Sequence, residues 1–458
     1  MGEVVAALSY ALDLTEGQPP GHTARVCRIG MRIGRETGLT PEELGDLYYA
    51  LLLKDSGCSS NASRLFHILG ADEIRAKRDV KTADWTKLGW ESLRFALSHV
   101  AVGRPFLERV RRLVAMAASR EADSRDLVKI RCERGASVAR RLGFGEGVAG
   151  AIHALDEHWN GRGYPEGRRG REIPRLSQIL LLAQTLEVFL RHAGPEGAVE
   201  VARKRSGRWF DPELVRAAVS AAARGALWAG LEEAGLAPVV EMEPEERRIT
   251  ADEAAMDRIC LAFAEVVDAK SPFTYQHSNG VARAAVAMAR QFGMSGEEIR
   301  FLRRAALLHD IGKLSVSNAI LEKPGKLTGG EWEAVKKHPY YTLEVLKRVP
   351  GFEELSEVAA SHHEKLDGTG YFRGWGAERM SRPARMLVVA DIFDALAARR
   401  PYREALPVET VFGILEKDAP KALDADCVEA LKQAVRGGMA EDLGSLSEAV
   451  GERTAGGV

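Results

Sequence analysis

Residues 307–313 read LLHDIGK, and this stretch decides how the rest of the chain is read. A histidine followed by an aspartate is common by chance. Here His309 and Asp310 are preceded by His277 and followed by His338, His362, His363 and Asp391. Five histidines and two carboxylates are what two metal ions need, because imidazole nitrogen suits iron, manganese, nickel or zinc and a carboxylate can bridge a pair. Two divalent ions roughly 3.5–4 Å apart can activate a water and clamp a phosphoryl group. Any one of these histidines alone reads as an ordinary polar residue; the set as a whole does not.

The surroundings of the donors are helical. Apolar residues recur at three- and four-residue steps in 24–36, 253–268, 281–291, 342–347 and 384–397, in segments rich in alanine, leucine, glutamate and arginine. Strand-like alternation is scarce, so the fold class is all-α. His277 is expected near the start of a helix, and His309-Asp310 at the end of one stopped by Gly312. His338 precedes Pro339, which suits a first helical position. His362 and His363 close a further helix before the turn DGTGY, where Gly368 and Gly370 are expected to adopt positive φ. Asp391 lies mid-helix in ARMLVVADIFDAL, where a buried carboxylate needs a partner or a metal. Ligands from several helices can converge at the centre of a bundle.

An internal repeat organises the chain. GHTARVCRIGMRIGRETGLTPEELGDLYYALLLKDSGC from Gly21 parallels QHSNGVARAAVAMARQFGMSGEEIRFLRRAALLHDIGK from Gln276. His22 to Lys54 and His277 to His309 both span 32 positions; Tyr164 to Gln184 and Tyr371 to Asp391 both span 20. The expected organisation is two tandem helical domains: residues 1–235, a connecting segment 236–250 and residues 251–458. The first copy carries an extra stretch near 60–125 that looks helical and packed. It keeps His22 and Asp55, but has Lys54 for His309, Arg131 for His338, Leu155 and Asp156 for His362 and His363, Gln184 for Asp391 and Cys58 for Lys313. A fixed ammonium or guanidinium opposes a dication and can partly replace its charge. The first copy is therefore expected to be metal-free and catalytically silent.

The bulk properties narrow the class. Lys and Arg number 64 against 65 Asp and Glu, so neither a nucleic acid nor another polyanion is an expected partner. Cys27, Cys58, Cys132, Cys260 and Cys427 are scattered and odd in number, which suits a reducing cytoplasm. The N-terminal MGEVVAALSYALDL lacks a basic start, and no apolar run approaches the ~20 residues of a membrane helix.

These residues resemble the HD-GYP family of bacterial phosphodiesterases, a branch of the HD metal-dependent phosphohydrolases. The resemblance covers about residues 255–430, with a degenerate echo over about 20–215. It rests on His277, HDIGK at 309–313, His338-Pro339, HHEKLDGTGY from His362, VAD ending at Asp391 and RRPYR from Arg399. It implies a helical domain with a two- or three-metal centre, usually holding iron or manganese, and hydrolysis of cyclic di-GMP to linear pGpG and often GMP. Carried over by position, one ion would take His277, His309, Asp310 and Asp391. The other would share Asp310 and take His338, His362 and His363. Lys313 would face the phosphate. Arg400, Tyr402 and Arg403 would hold the far phosphate or a guanine, and Tyr371 would stack on a base or pack on the domain. Glu364 and Asp367 would orient ligands or shape the helix end and turn. Two departures stand out. Phe372 replaces the proline of Gly-Tyr-Pro, and Phe273 stands where three-metal members have a glutamate, so two metals are expected.

Two other readings follow. The chain could act on another nucleotide, such as cyclic GMP-AMP, a nucleoside phosphate or guanosine tetraphosphate. It could instead be a nucleotide-responsive sensor or scaffold with little turnover. The first copy is then a candidate surface for protein partners, and the pairing of whole chains into a homodimer stays open.

Overall fold

The structure is a computed structural model that describes residues 1–82, 90–102, 105–233, 236–274, 276–398 and 404–439. Among these residues the architecture is helical, with isolated bridges and no strand. No helix is long and apolar enough to cross a membrane among the described residues. The chain divides into two compact units: Met1–Ala262 with Ser317–Pro324, and Phe263–Val316 with Gly325–Val458.

In the second unit, His277–Gln291 packs against Gly296–Leu308 and Arg382–Ala397. His338–Leu346 packs against Glu353–Ala360 and the short 3₁₀ segment Ile311–Ser315. Helix Gly296–Leu308 starts with a capping box: the Ser295 hydroxyl accepts from the Glu298 amide and the Glu298 carboxylate from the Ser295 amide. Met386, Leu387, Val389 and Phe393 are buried on the helix that carries Asp391. Burial of each such side chain contributes about 1.5–3 kcal/mol, which holds the ligand-bearing helix in place.

The first unit repeats this local pattern. His22–Glu36 packs against Pro41–Leu53 and Arg175–Arg205, and Thr40 with Glu43 forms the equivalent capping box. Gly21 and Gln276, which precede His22 and His277, both have positive φ. Gly57 and Gly312 play one role. A Cβ on Gly57 would lie 1.9 Å from the Arg131 carbonyl oxygen, and one on Gly312 would lie 2.0 Å from that of His338. Gly312 thus permits a close backbone approach behind His309-Asp310 rather than simply stopping a helix. Gly368 has φ +74, as expected. Gly370 does not have positive φ; it is required because a Cβ would lie 2.4 Å from Glu364 Cα.

The insertion is packed. Its helices Ala62–Leu69, Glu73–Val80 and Trp90–His99 and the start of Phe106–Arg141 surround a core of Leu69, Ala76, Ala96, Val100 and Ala101. The stretch 236–250 is not a free connection. Glu243 is buried and accepts from the Tyr49 hydroxyl at 2.5 Å, and the Met1 ammonium donates to the Ile249 carbonyl at 2.7 Å. Ser317–Pro324 belongs to the first unit through Glu73, whose carboxylate accepts from Ser317 Oγ at 2.7 Å and the Asn318 amide at 2.9 Å.

Candidate metal centre

His277 begins its helix; His309 caps the end of Gly296–Leu308; His338 starts its helix beside Pro339; His362 and His363 follow Glu353–Ala360; Asp391 is mid-helix. The structure brings all seven donors together. Donor atoms of His277, His309 and Asp391, of His338, His362 and His363, and of His309, Asp310 and His362 lie within 4.8 Å of one another in each group.

The outer ring nitrogens set the orientation. Nδ1 of His309, His338 and His362 each lies 2.7 Å from the carbonyl oxygen three residues earlier, at Ala306, Val335 and Ala359. A carbonyl only accepts, so Nδ1 carries the proton and the Nε2 lone pair faces the centre. His277 Nδ1 is held by Asp394 Oδ2 at 2.7 Å.

Asp310 lies between the donors. Its Oδ1 is 3.4 Å from His338 Nε2 and 3.5 Å from His362 Nε2, while Oδ2 is 3.4 Å from His309 Nε2 and 3.6 Å from His277 Nε2. Asp391 Oδ1 is 3.1 Å from His277 Nε2, and its Oδ2 is 3.8 Å from His363 Nδ1.

This arrangement fits divalent cations. His338 Nε2 and His362 Nε2 are 2.9 Å apart, and two unprotonated lone pairs at that distance repel unless a cation lies with them. His309 Nε2 and Asp310 Oδ1 are buried without a hydrogen-bond partner among the described residues. Buried polar atoms of this kind call for an explanation, and an ion is the one this donor chemistry suits.

The electrostatics agree. Burial would raise the Asp310 pKa, but His309 and Lys313 hold it well below the usual carboxylate range. Asp391 is likewise held low, against burial, by its hydrogen bond from His277 and by His363. Burial pushes His338 down to about 3 and lowers His362 and His363, so all three are neutral and able to ligate. His277 goes the other way: burial lowers it, but Asp391 and Asp394 raise it to about 10.

The remaining expected residues divide. Lys313 Nζ rests 2.5 Å from Asp310 Oδ2, on a side chain 19% exposed, so it adjoins the centre. Tyr371 packs over His363 with ring centroids 4.7 Å apart. The Tyr371–Phe372 bond is cis, as is Tyr164–Pro165. Arg400, Tyr402 and Arg403 lie outside the described residues. The buried Glu364 carboxylate accepts from the Arg373 amide at 2.8 Å and the Trp375 amide at 2.9 Å, pinning the loop. Asp367 accepts from the Thr369 amide at 3.0 Å, as a turn former does. Asp394 was missed by sequence reasoning. Its signal was position: three residues after Asp391, it shares a helix face with it.

In the first unit, protein cations occupy the matching place. Lys54 is buried, pairs with Asp55, and has Nζ 3.5 Å from His22 Nε2. Arg131 pairs with Asp156. Lys81, from the insertion, lies 3.0 Å from Glu16 and 3.9 Å from Asp55 Oδ1. Glu187 holds His22 Nδ1 at 2.5 Å, as Asp394 holds His277. Asp13 accepts from Thr23 and Asp268 from Ser278 in the same way. Glu16, Asp55 and Cys58 also approach one another, but Lys81 and Lys77 already neutralise Glu16.

The comparisons agree with this geometry. The model of the HD domain family matches residues 108–214 and 262–427. The chain belongs to that family, in its HD-GYP branch, and is a metal-dependent phosphohydrolase. It is 44% identical over 436 residues to the 3′3′-cGAMP-specific phosphodiesterase 3 of Vibrio cholerae serotype O1, covering 95% of this chain and 94% of that protein. The cyclic di-GMP phosphodiesterase of Thermotoga maritima is 36% identical over 159 residues, 34% of this chain and 43% of its own length. A solved structure, that of a cyclic GMP-AMP specific phosphodiesterase of V. cholerae, matches with a TM-score of 0.66 at 39% identity, over 95% of this chain and 97% of the other.

Proposed function

We propose that the chain hydrolyses 3′,3′-cyclic GMP-AMP. One observation carries this reading: the near full-length match, through both halves, to a phosphodiesterase specific for that nucleotide. Cyclic di-GMP, the substrate implied by the sequence motifs, is the second reading; two relatives named for it match over 44% and 34% of this chain.

His277, His309, Asp310 and Asp391 would hold one ion, and Asp310, His338, His362 and His363 a second, with iron or manganese the expected metals. When bound, such a pair supplies a water of lowered pKa and neutralises phosphate charge. The side chains do the rest. Ala306, Val335, Ala359 and Asp394 orient the rings of His309, His338, His362 and His277 ahead of binding. Lys313 shifts from Asp310 to a phosphate oxygen and offsets charge building there. Water oxygen joins phosphorus, the bond from phosphorus to the ribose oxygen breaks, and that oxygen takes a proton, leaving a linear dinucleotide.

The first copy, with its insertion, is proposed to be a metal-free domain in which Lys54, Lys81 and Arg131 stand in for ions. It remains the candidate surface for protein partners. The five free, buried cysteines fit a reducing compartment such as the cytoplasm.

The test is a comparison of kcat/KM for the iron- or manganese-loaded protein. A higher value for cyclic GMP-AMP than for cyclic di-GMP is expected, and the reverse order overturns the substrate assignment. Survival of the cellular role after His309→Ala with Asp310→Ala would favour a sensor or scaffold.

A further inference from the structure

A cavity of about 360 Å³ adjoins the ligand cluster and is lined at one part by His362 and His363. Trp332 and Tyr371 also line it, with the apolar Val388 and Ile392. Trp332 is 44% exposed, although tryptophan gains from burial. Its ring meets that of Tyr371 edge to face, with centroids 5.9 Å apart at 74°. Tyr371 in turn lies over His363 at 32°. A half-open aromatic pair, an apolar lining and a phosphate-binding centre within one cavity are the features that a nucleobase attached to a phosphate requires.

The first unit provides the contrast. Arg125 stands six residues before Arg131, as Trp332 stands six before His338. The Arg125 guanidinium lies over the Tyr164 ring, 5.4 Å from its centroid. Where the histidine ligands are lost, the tryptophan is lost as well and the tyrosine face is covered by a cation.

We infer that Trp332, with Tyr371, forms the slot in which one purine base of the substrate stacks, making Trp332 a specificity residue. This rests on the reading of the substrate as a purine cyclic dinucleotide. The base would enter beside Trp332 while its phosphate faces His362 and His363. Lys336, one helical turn after Trp332, lines the same cavity and adds a cation near the phosphate.

The test uses full-length, metal-loaded protein and the variants Trp332→Ala, Trp332→Leu and Trp332→Phe. Tyr340→Ala, an exposed aromatic outside the cavity lining, is the control. Calorimetry measures the binding of GMP and of ribose 5-phosphate. Kinetics measure KM and kcat for cyclic GMP-AMP. Trp332→Ala and Trp332→Leu should weaken GMP binding about ten-fold and leave ribose 5-phosphate unchanged, because stacking acts on the base alone. They should raise KM about ten-fold with kcat altered less than about three-fold, and Trp332→Phe should recover most of the loss. Unchanged GMP affinity, or equal loss for GMP and ribose 5-phosphate, overturns the slot. A wild-type protein that binds GMP no better than ribose 5-phosphate does so too. A protein that binds GMP through Trp332 yet cleaves no cyclic dinucleotide overturns the proposed function and leaves the slot standing.

Discussion

At position 54 the first copy has a lysine where the second, at 309, has a histidine, and the surroundings differ to match. Both copies keep the following aspartate buried, Asp55 and Asp310. Both keep an outer carboxylate on the first histidine, Glu187 on His22 and Asp394 on His277. A buried carboxylate is costly without a cation beside it. In the second copy the neighbours are the ring nitrogens of His277, His309, His338 and His362, suited to bringing in metal, with the single ammonium of Lys313 beside them. In the first they are ammonium and guanidinium groups already attached to the chain. The comparison teaches that the buried aspartate keeps cationic or metal-ligating groups beside it in both copies, and the proposed silence of the first copy would follow from its fixed cations taking the place of ions.

The largest effect expected from breaking this contrast comes from Asp310→Ala. It removes the carboxylate facing both donor groups, and hydrolysis should fall by about a thousand-fold or more, with metal content by elemental analysis falling alongside. Full activity in a metal-replete variant would refute the bridging role. Next comes Lys54→Ala, which leaves Asp55 facing less compensating charge. Breaking a buried pair by removing one partner costs about 3–5 kcal/mol, to be read as a loss in denaturant unfolding that metal addition does not repair. Adding Asp55→Leu to that variant should recover much of it.

Acid should expose the first copy next. Burial would raise the Glu16 pKa, but Lys81 and Lys77 lower it to about 2; Glu187 is similarly lowered to about 2, chiefly by His22 and Arg25. A depressed folded-state pKa means stability that is complete above the unfolded value near 4.5 and lost as pH falls toward 2. Glu16→Gln should flatten that part of the stability curve by about 2–3 kcal/mol; an unchanged slope in pH-dependent unfolding would count against the pairing. The smallest effect is reserved for the outer carboxylates. Asp394→Asn should weaken metal affinity about 10–100-fold in chelator competition, whereas Glu187→Gln should leave it untouched.

Much of this was legible in the sequence because donors at matched spacings constrain one another. His277, His309, His338, His362, His363 and Asp391 converge as their helical positions implied. Other features depend on distances that spacing does not encode. Lys81 reaches Glu16 and Asp55 from an inserted segment with no counterpart in the second copy. Gly370 looked like a residue for positive φ, but the crowding of Glu364 against it is a tertiary fact. The exposed face of Trp332 has no signature in a helix-forming segment. The stretch 236–250 read as a connection because prolines and acids are frequent there, yet Glu243 is buried against Tyr49.

The passage of the backbone through the two units has a practical outcome. Because Ser317–Pro324 lies in the first unit, the polypeptide crosses from one to the other three times: after Ala262, after Val316 and after Pro324. No single proteolytic nick can liberate either unit whole. A gene truncated at the midpoint would encode a fragment still carrying a strip of its neighbour, with the Ser317 hydroxyl and Asn318 amide deprived of Glu73. Separating the halves cleanly requires rebuilding that strip as well as choosing a cut.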